Sequence, residues 1–255
     1  MAVAKRKIQL LAWRRNPAFA ESAARLRTLR GACRGRRCFV MGNGPSLNHT
    51  RLDRLHDEFT IGSNGIFLLG DRTGYQTTVY TIEDRLVAED RRREANDYGA
   101  KWKVFPLDLR YCLKDVVGAS FLYCDRVTGG SGPKFCFNLE EEIGWGGTVT
   151  YFNLQIAVYA GASEIYLVGV DHSYTDRFQI RKAGAVWTSE ADDVNHFDPR
   201  YFGRGYRWHD PKVERMEAAY KAAKCAAESV GVKIYNATVG GRLEVFARRE
   251  FESLF

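Results

Sequence analysis

The chain has 255 residues, of which 45% are hydrophobic and 13% aromatic, enough to bury a full globular core. No apolar run approaches the ~20 residues that span a bilayer, and the first residues lack the apolar core and small-residue cleavage site of a secretory signal, so a cytoplasmic protein is expected. The net charge of +7 is not spread evenly: residues 1–37 hold 11 of the 38 Lys and Arg and a single acid, Glu21, whereas the remainder carries 27 basic and 30 acidic groups.

Residues 1–36 are therefore predicted to form a basic arm, helical from about Ala18 to Arg30, ahead of an α/β body at 37–255. In "KRKIQLLAWRRNPAF" basic residues interleave with Ile8, Leu10, Leu11, Trp13 and Phe19. Such a segment either packs an apolar stripe on the body, with Leu26 and Leu29 turned inward, or lies on an anionic surface. Peripheral contact of residues 1–30 with the inner membrane is the expectation under the second reading, and no specific nucleic-acid partner is expected. The six cysteines form no C-x-x-C pair, so reduced thiols and no structural zinc are expected.

In the body, "RCFVMG" (37–42) predicts a buried strand, with a helix over Thr50–Leu55. "FTIGSNGIFLL" predicts a second strand ending near Asn64, and "TTVYTIED" a third, followed by the charged helix "RLVAEDRRREAND". Between 101 and 145 the strand candidates are "KVFPL", "FLYC" and "KFCFNL", with a glycine-rich loop "TGGSGP". "TVTYFNLQIAVYAGA" predicts a long apolar helix closed by Gly161, and "EIYLVGVD" a central strand ending at Asp171. Residues 172–210 show no periodicity and read as a lid. The amphipathic helix "DPKVERMEAAYKAAKCAAESVG" opens at Asp210-Pro211 and stops at Gly231, and "VKIYNAT" is the last strand. This alternation predicts a Rossmann-like, mostly parallel sheet with helices on both faces and a lid insertion.

Ligands of open α/β sheets bind beyond the carboxyl ends of the strands. Polar residues gather at five such ends: Gly42-Asn43-Gly44-Pro45-Ser46, Ser63-Asn64, Glu83-Asp84, Gly169-Val170-Asp171 and Asn236-Ala237-Thr238. The first lacks the third glycine of the dinucleotide fingerprint, Leu47 standing there, and has no Gly-Lys-Ser/Thr. It is either an anion cradle of exposed amides or a strand-to-helix turn with glycines at positive φ. His196 and His209, with Tyr174, Tyr201 and Tyr206, fall in the lid and supply imidazole for general base chemistry. Asp171, Asp192, Asp193 and Asp198 show no metal-ligand spacing, and no dedicated metal site is expected.

"FVMGNGPSLN", "GGTVTYFNLQIAVYAGASEIYLVGVDHSY", "NHFDPRYFGRGYRWHDPKVERM" and "KIYNATVGGRLEVF" resemble the bacterial proteins that share a domain with archaeal 6-hydroxymethylpterin diphosphokinases. More distantly, they are similar to bacterial CMP-sialic acid sialyltransferases. The similarity runs from about Arg37 to the C-terminus. It implies a cytidine-nucleotide site contacted by Asn43, Gly44, Ser46, Asn64, Thr148 and Asp171, with Gly42, Pro45, Asp84 and Asn236 at the same crevice. It also implies inverting transfer of an acidic sugar, of sialic acid or Kdo type, from a CMP-sugar to a glycan or lipid-linked acceptor in surface polysaccharide synthesis. A lid histidine is the implied base, His196 first and His209 second, and Tyr174 the group on the leaving phosphate. This chain departs from the sialyltransferases at Thr148-Val149-Thr150, where they have T-S-G, and at Ser173, which precedes Tyr174 where they have the tyrosine itself.

No cofactor is required on that reading. The diphosphokinase resemblance implies instead ATP with Mg²⁺, acting on 6-hydroxymethylpterin or a similar alcohol, served by Asp84, Asp171, Arg177, Arg181 and Arg204. A non-catalytic nucleotide- or glycan-binding protein is the third reading.

Overall fold

The computed structural model describes residues 2–126, 132–174, 180–184, 186–209 and 212–255. The strands in chain order are β1 Arg37–Met41, β2 Phe59–Ser63, β3 Val79–Thr81, β4 Trp102–Pro106, β5 Ala119–Leu122, β6 Cys124–Asp125, β7 Ile143–Gly144, β8 Glu164–Val168, β9 Ile180–Ala183, β10 Val186–Ser189, β11 Arg207–His209, β12 Lys233–Asn236 and β13 Ala247–Arg248. The helices are α1 Ala2–Arg14, α2 Ala18–Leu29, α3 Phe67–Thr73, α4 Arg85–Asp90, α5 Arg92–Asp97, α6 Arg110–Leu113, α7 Val149–Tyr159 and α8 Val213–Ser229.

Eight strands form one sheet in the order β13-β12-β8-β1-β2-β3-β4-β5, and every pairing in it is parallel. This is the predicted Rossmann-like α/β architecture. Side chains alternate between the two faces of a strand, and here both faces are covered. In β1, Cys38 and Val40 join a core layer with α2, α7 and α8, while Phe39 and Met41 join a second layer with Phe67, Val87 and Phe251. β8 repeats the pattern, with Ile165 and Leu167 on the first face and Tyr166 and Val168 on the second. The chain walks outward from β1 through β2, β3 and β4 to β5, then crosses to β8 on the other side of β1. That reversal opens a crevice at the carboxyl ends of β1 and β8.

Several local expectations are corrected. Thr50–Leu55 is no α-helix: it contains only the 3₁₀ turn Leu52–Leu55, which follows another at Pro45–His49, and both are too short for an α-helical ladder. "KFCFNL" forms no strand, and the short β7 pairs with β6 instead. The lid region is not without regular structure, since β9, β10 and β11 form an antiparallel sheet. "TGGSGP" in part, Arg177, and the cap Asp210-Pro211 lie outside the described residues.

The basic segment is not a free arm. Leu26 and Leu29 of α2 are buried in the first core layer, and Trp13 packs edge-on to Phe19 and Phe121. Ile8 and Leu11 of α1 remain exposed. The lid region is pinned to the body by Arg91, whose guanidinium donates to the carbonyls of Arg200 (2.6 Å) and Tyr201 (3.1 Å) and lies 3.7 Å over the Tyr206 ring. A second clasp joins Phe197 to the β1 loop: its N–H donates to Asn43 O (2.9 Å) and its carbonyl accepts from Asn48 Nδ2 (2.8 Å).

Candidate active site

The loop after β1 answers why its glycines are there. Neither Gly42 nor Gly44 has a positive φ. A Cβ on Gly42 would sit 2.2 Å from Gly169 O, and one on Gly44 would sit 1.8 Å from Asp171 Oδ2. The glycines thus let the ends of β1 and β8 stay zipped beyond the sheet, where Gly42 N donates to Val168 O (2.7 Å) and Gly44 N to Gly169 O (2.8 Å). Pro45 starts the 3₁₀ turn. Ser46 donates from N (3.2 Å) and Oγ (2.7 Å) to the Asp171 carboxylate, which ties the two loops together.

A cavity of about 220 Å³ lies over this switch point and extends under the lid. Of the residues expected at the nucleotide, Gly42, Asn43, Gly44, Asn64, Asp84 and Thr148 line it, as do His196, His209 and Tyr174. Pro45, Ser46, Asp171 and Asn236 do not. Asn236 is saturated by its own turn, with Nδ2 donating to Leu243 O (2.8 Å) and Oδ1 accepting from Thr238 N (3.0 Å). A larger cleft of about 700 Å³ opens on the outer side of the lid, bordered by Asp71, Arg91 and Arg204, but no strand end reaches it.

Three histidine–carboxylate pairs border the smaller cavity, those of His196 with Asp193, His209 with Asp84 and His172 with Glu217. His196 Nδ1 lies 2.8 Å from Oδ2 of Asp193, whose side chain is fully buried. Asp193 also accepts from Asn195 N (2.8 Å) and Phe202 N (2.9 Å). A carboxylate so surrounded by donors is held as an acceptor, so Nδ1 carries the imidazole proton and Nε2 presents the lone pair. The ring orientation is fixed by stacking on Tyr201 at 3.9 Å and 5°, and by an edge contact with Phe202.

The second pair is His209 with Asp84, 2.6 Å from Nδ1 to Oδ2. Asp84 caps α4, Oδ1 accepting from Leu86 N (2.7 Å) and Val87 N (3.2 Å). The hydrogen bond to Asp84 raises the His209 pKa against the opposing effect of burial. Burial pushes the Asp84 carboxyl up, but its bonds to His209 and to the two amides hold it below its ordinary value. The Tyr174 hydroxyl lies 3.9 Å from Met216 Sδ; the residue as a whole is 41% exposed, and desolvation at its hydroxyl end raises the pKa, so the phenol stays a neutral donor. Thr148 caps α7 and lies 3.4 Å from the Tyr220 hydroxyl.

Sequence reasoning missed three members of this site. Asp193 stands among acids that show no metal-ligand spacing, yet "DDVNH" places it three residues before His196, within reach across one turn. His172 and its partner Glu217 carried no motif. Among the described residues the non-glycine positions with positive φ are Asn64 (53°) and His172 (51°), and both line the cavity. Strained backbone of this kind collects at functional sites. No three described His, Cys, Asp or Glu side chains come together as a metal site.

The family described as 6-hydroxymethylpterin diphosphokinase MptE-like matches residues 15–177. The match takes in α2, which the sequence reading had placed outside the resemblance. No curated protein matches the chain. Among solved structures, the MAf glycosyltransferase from Magnetospirillum magneticum AMB-1 is similar over 92% of this chain at 17% identity with a TM-score of 0.56, a likeness of fold. This chain spans about 39% of that protein's length. The sialyltransferase CstII from Campylobacter jejuni, in complex with the substrate analogue CMP-3FNeuAc, is similar over 83% of this chain and 85% of its own, at 13% identity and a TM-score of 0.44.

Proposed function

The chain belongs to the 6-hydroxymethylpterin diphosphokinase MptE-like family, and from that premise and the cavity's chemistry we propose that it is a transferase using a nucleotide-activated donor. The favoured reaction is inverting transfer of an acidic sugar from a CMP-sugar to a glycan or lipid-linked acceptor. The observation that carries it is the His196–Asp193 pair, an imidazole with its proton fixed on Nδ1 at a cavity formed by strand ends.

On this reading His196 Nε2 takes the acceptor hydroxyl proton as the oxygen attacks the anomeric carbon. The bond from that carbon to the phosphate oxygen breaks on the opposite face, and CMP departs with the electron pair. Asp193 stabilises the imidazolium that forms. Tyr174 donates to the departing phosphate, and the nucleotide rests against Gly42, Asn43, Gly44, Asn64 and Thr148. The exposed Ile8 and Leu11, beside the basic residues of the N-terminal segment, would bring the enzyme to a lipid-linked acceptor on an anionic membrane.

The family's name favours a second reading, ATP- and Mg²⁺-dependent diphosphoryl transfer to a pterin-like alcohol. Asp84 and Asp171 would have to hold the metal, yet both carboxylates are engaged, Asp84 by His209 and two amides and Asp171 by Ser46. That engagement makes it the less favoured reading.

The test is CMP release from CMP-sialic acid with EDTA present. Turnover that falls about 10²–10⁴-fold in His196→Ala supports the proposal. No turnover of the CMP-sugar, with AMP formed from ATP, Mg²⁺ and 6-hydroxymethylpterin, would establish the second reading. Binding without turnover of either, unchanged in His196→Ala and His209→Ala, would make the protein a nucleotide-binding module.

A further inference from the structure

His172 follows the turn after β8 and lines the cavity in a left-handed conformation, φ 51°. A glycine would adopt that backbone freely, whereas an imidazole there is strained, and strain of this kind collects at functional sites. The His172 side chain is only 3% exposed, packed edge-on to Tyr220 at 5.8 Å, with Nε2 3.4 Å from Glu217 Oε1 on α8. A carboxylate only accepts, so Nε2 carries the proton and Nδ1 is left as a bare lone pair. Nδ1 is shut off from water and has no hydrogen-bond partner among the described residues.

Asn43, 8% exposed on the same cavity, is in the same condition. Its Nδ2 donates to Ser63 O (3.2 Å), which fixes the amide and leaves Oδ1 as a buried acceptor without a partner among the described residues. A buried acceptor left unmatched is costly, and three on one cavity, Asn64 Oδ1 being the third, point to a ligand that brings donors.

We propose that His172 reads the bound nucleotide by accepting, at Nδ1, a hydrogen bond from a neutral donor of the ligand, either the exocyclic amine of the base or a ribose hydroxyl. Glu217 is a positioning residue that holds the tautomer. The inference rests on the nucleotide-transferase reading and adds a selectivity to it. A ligand with an oxo group where the donor belongs would set two lone pairs against each other and be rejected.

The experiment measures dissociation constants by calorimetry for CMP, UMP and 2′,3′-dideoxy-CMP with the full chain and three variants. In the wild type one of the two analogues should bind about five- to tenfold more weakly than CMP, the effect of one hydrogen bond. Weak UMP identifies the base amine, and weak dideoxy-CMP identifies a ribose hydroxyl. His172→Phe keeps the ring shape without nitrogens and should weaken CMP by the same factor while abolishing the discrimination. His172→Asn tolerates the left-handed backbone, sets its Oδ1 near the place of Nδ1, and should retain the discrimination. Glu217→Leu, at a half-exposed position, removes the acceptor of the Nε2 proton and should reduce the discrimination without touching the ligand.

Equal binding of all three nucleotides to the wild type overturns the proposal, as does discrimination that survives His172→Phe. If the Phe variant does not fold, undiminished discrimination in Glu217→Leu overturns it instead. No binding of any of the three to the wild type removes the nucleotide reading itself, an outcome distinct from failure of His172's role.

Discussion

Replacing Asp193 by Asn separates the structural and chemical parts of the site. The carboxylate is fully buried, and the donors that reach it include Asn195 N on Oδ1 at 2.8 Å, and His196 Nδ1 at 2.8 Å with Phe202 N at 2.9 Å on Oδ2. An amide has only one oxygen to offer. In its better orientation that oxygen keeps His196 and Phe202, and the NH₂ faces the Asn195 N–H. One buried donor is then unmatched and two bonds lose their charge assistance, a cost of about 2–4 kcal/mol. For a chain of this size that lowers Tm by roughly 4–16 °C. The imidazolium formed during proton transfer also loses its counter-charge, so CMP release from the CMP-sugar should fall about 10²–10⁴-fold. Urea unfolding and turnover on the same preparations are the assay, with Asp193→Asn/His196→Ala expected to turn over no more slowly than His196→Ala alone. A folded Asp193→Asn protein with undiminished turnover would refute the dyad and leave Asp193 a structural anchor of the lid.

Three other outcomes are expected. Gly42→Ala must move the backbone carbonyl of Gly169, whereas Gly44→Ala meets a side-chain carboxylate, so Gly42→Ala should lower stability more in chemical denaturation; equal losses would contradict the zipped-loop geometry. The raised His209 pKa gives stability that is present below its ordinary value of 6.5 and lost as pH rises through the folded value, while the lowered Asp84 pKa gives stability present above 3.8 and lost as pH falls. The stability difference between wild type and His209→Gln should therefore be largest between about pH 4.5 and 6.5 and shrink toward pH 9, and a difference that grows with pH would have the wrong sign. Flotation with vesicles containing anionic lipid should carry the wild type and lose Ile8→Asp/Leu11→Asp, while neutral vesicles should carry neither; binding indifferent to both changes would remove the membrane reading of α1.

Where periodicity is long and burial symmetrical, the fold was legible. β1 and β8 end in apolar runs closed by glycine, as two-sided burial in a parallel sheet produces, and α7 is long, mostly apolar and buried on nearly every side. Short elements were not: the Pro45–His49 turn has too few residues to show a period, and "VWTS" in β10 does not alternate between buried and exposed positions. The strand ends located the crevice, but pairing within it could not be read because its partners are remote, 125 residues apart for Asp84 and His209. The glycines of the first loop were legible as special, while their cause was not. The Cβ is excluded by Gly169 and Asp171, more than 120 residues further on, and not by local φ. His172 left no sequence signal because its significance lies in a backbone angle and an unmatched nitrogen.

The most direct test of the central claim, a cytidine-nucleotide cavity at the β1–β8 switch point, is a thermal-shift series with CMP, CDP, UDP, ADP and ATP, each with Mg²⁺ and with EDTA. A nucleotide at a hundred times its dissociation constant adds about 2.7 kcal/mol, which raises Tm by roughly 5–11 °C. The account predicts that shift for CMP and CDP, unchanged by EDTA. No response to any cytidine nucleotide, together with strong stabilisation by ATP and Mg²⁺, would contradict it.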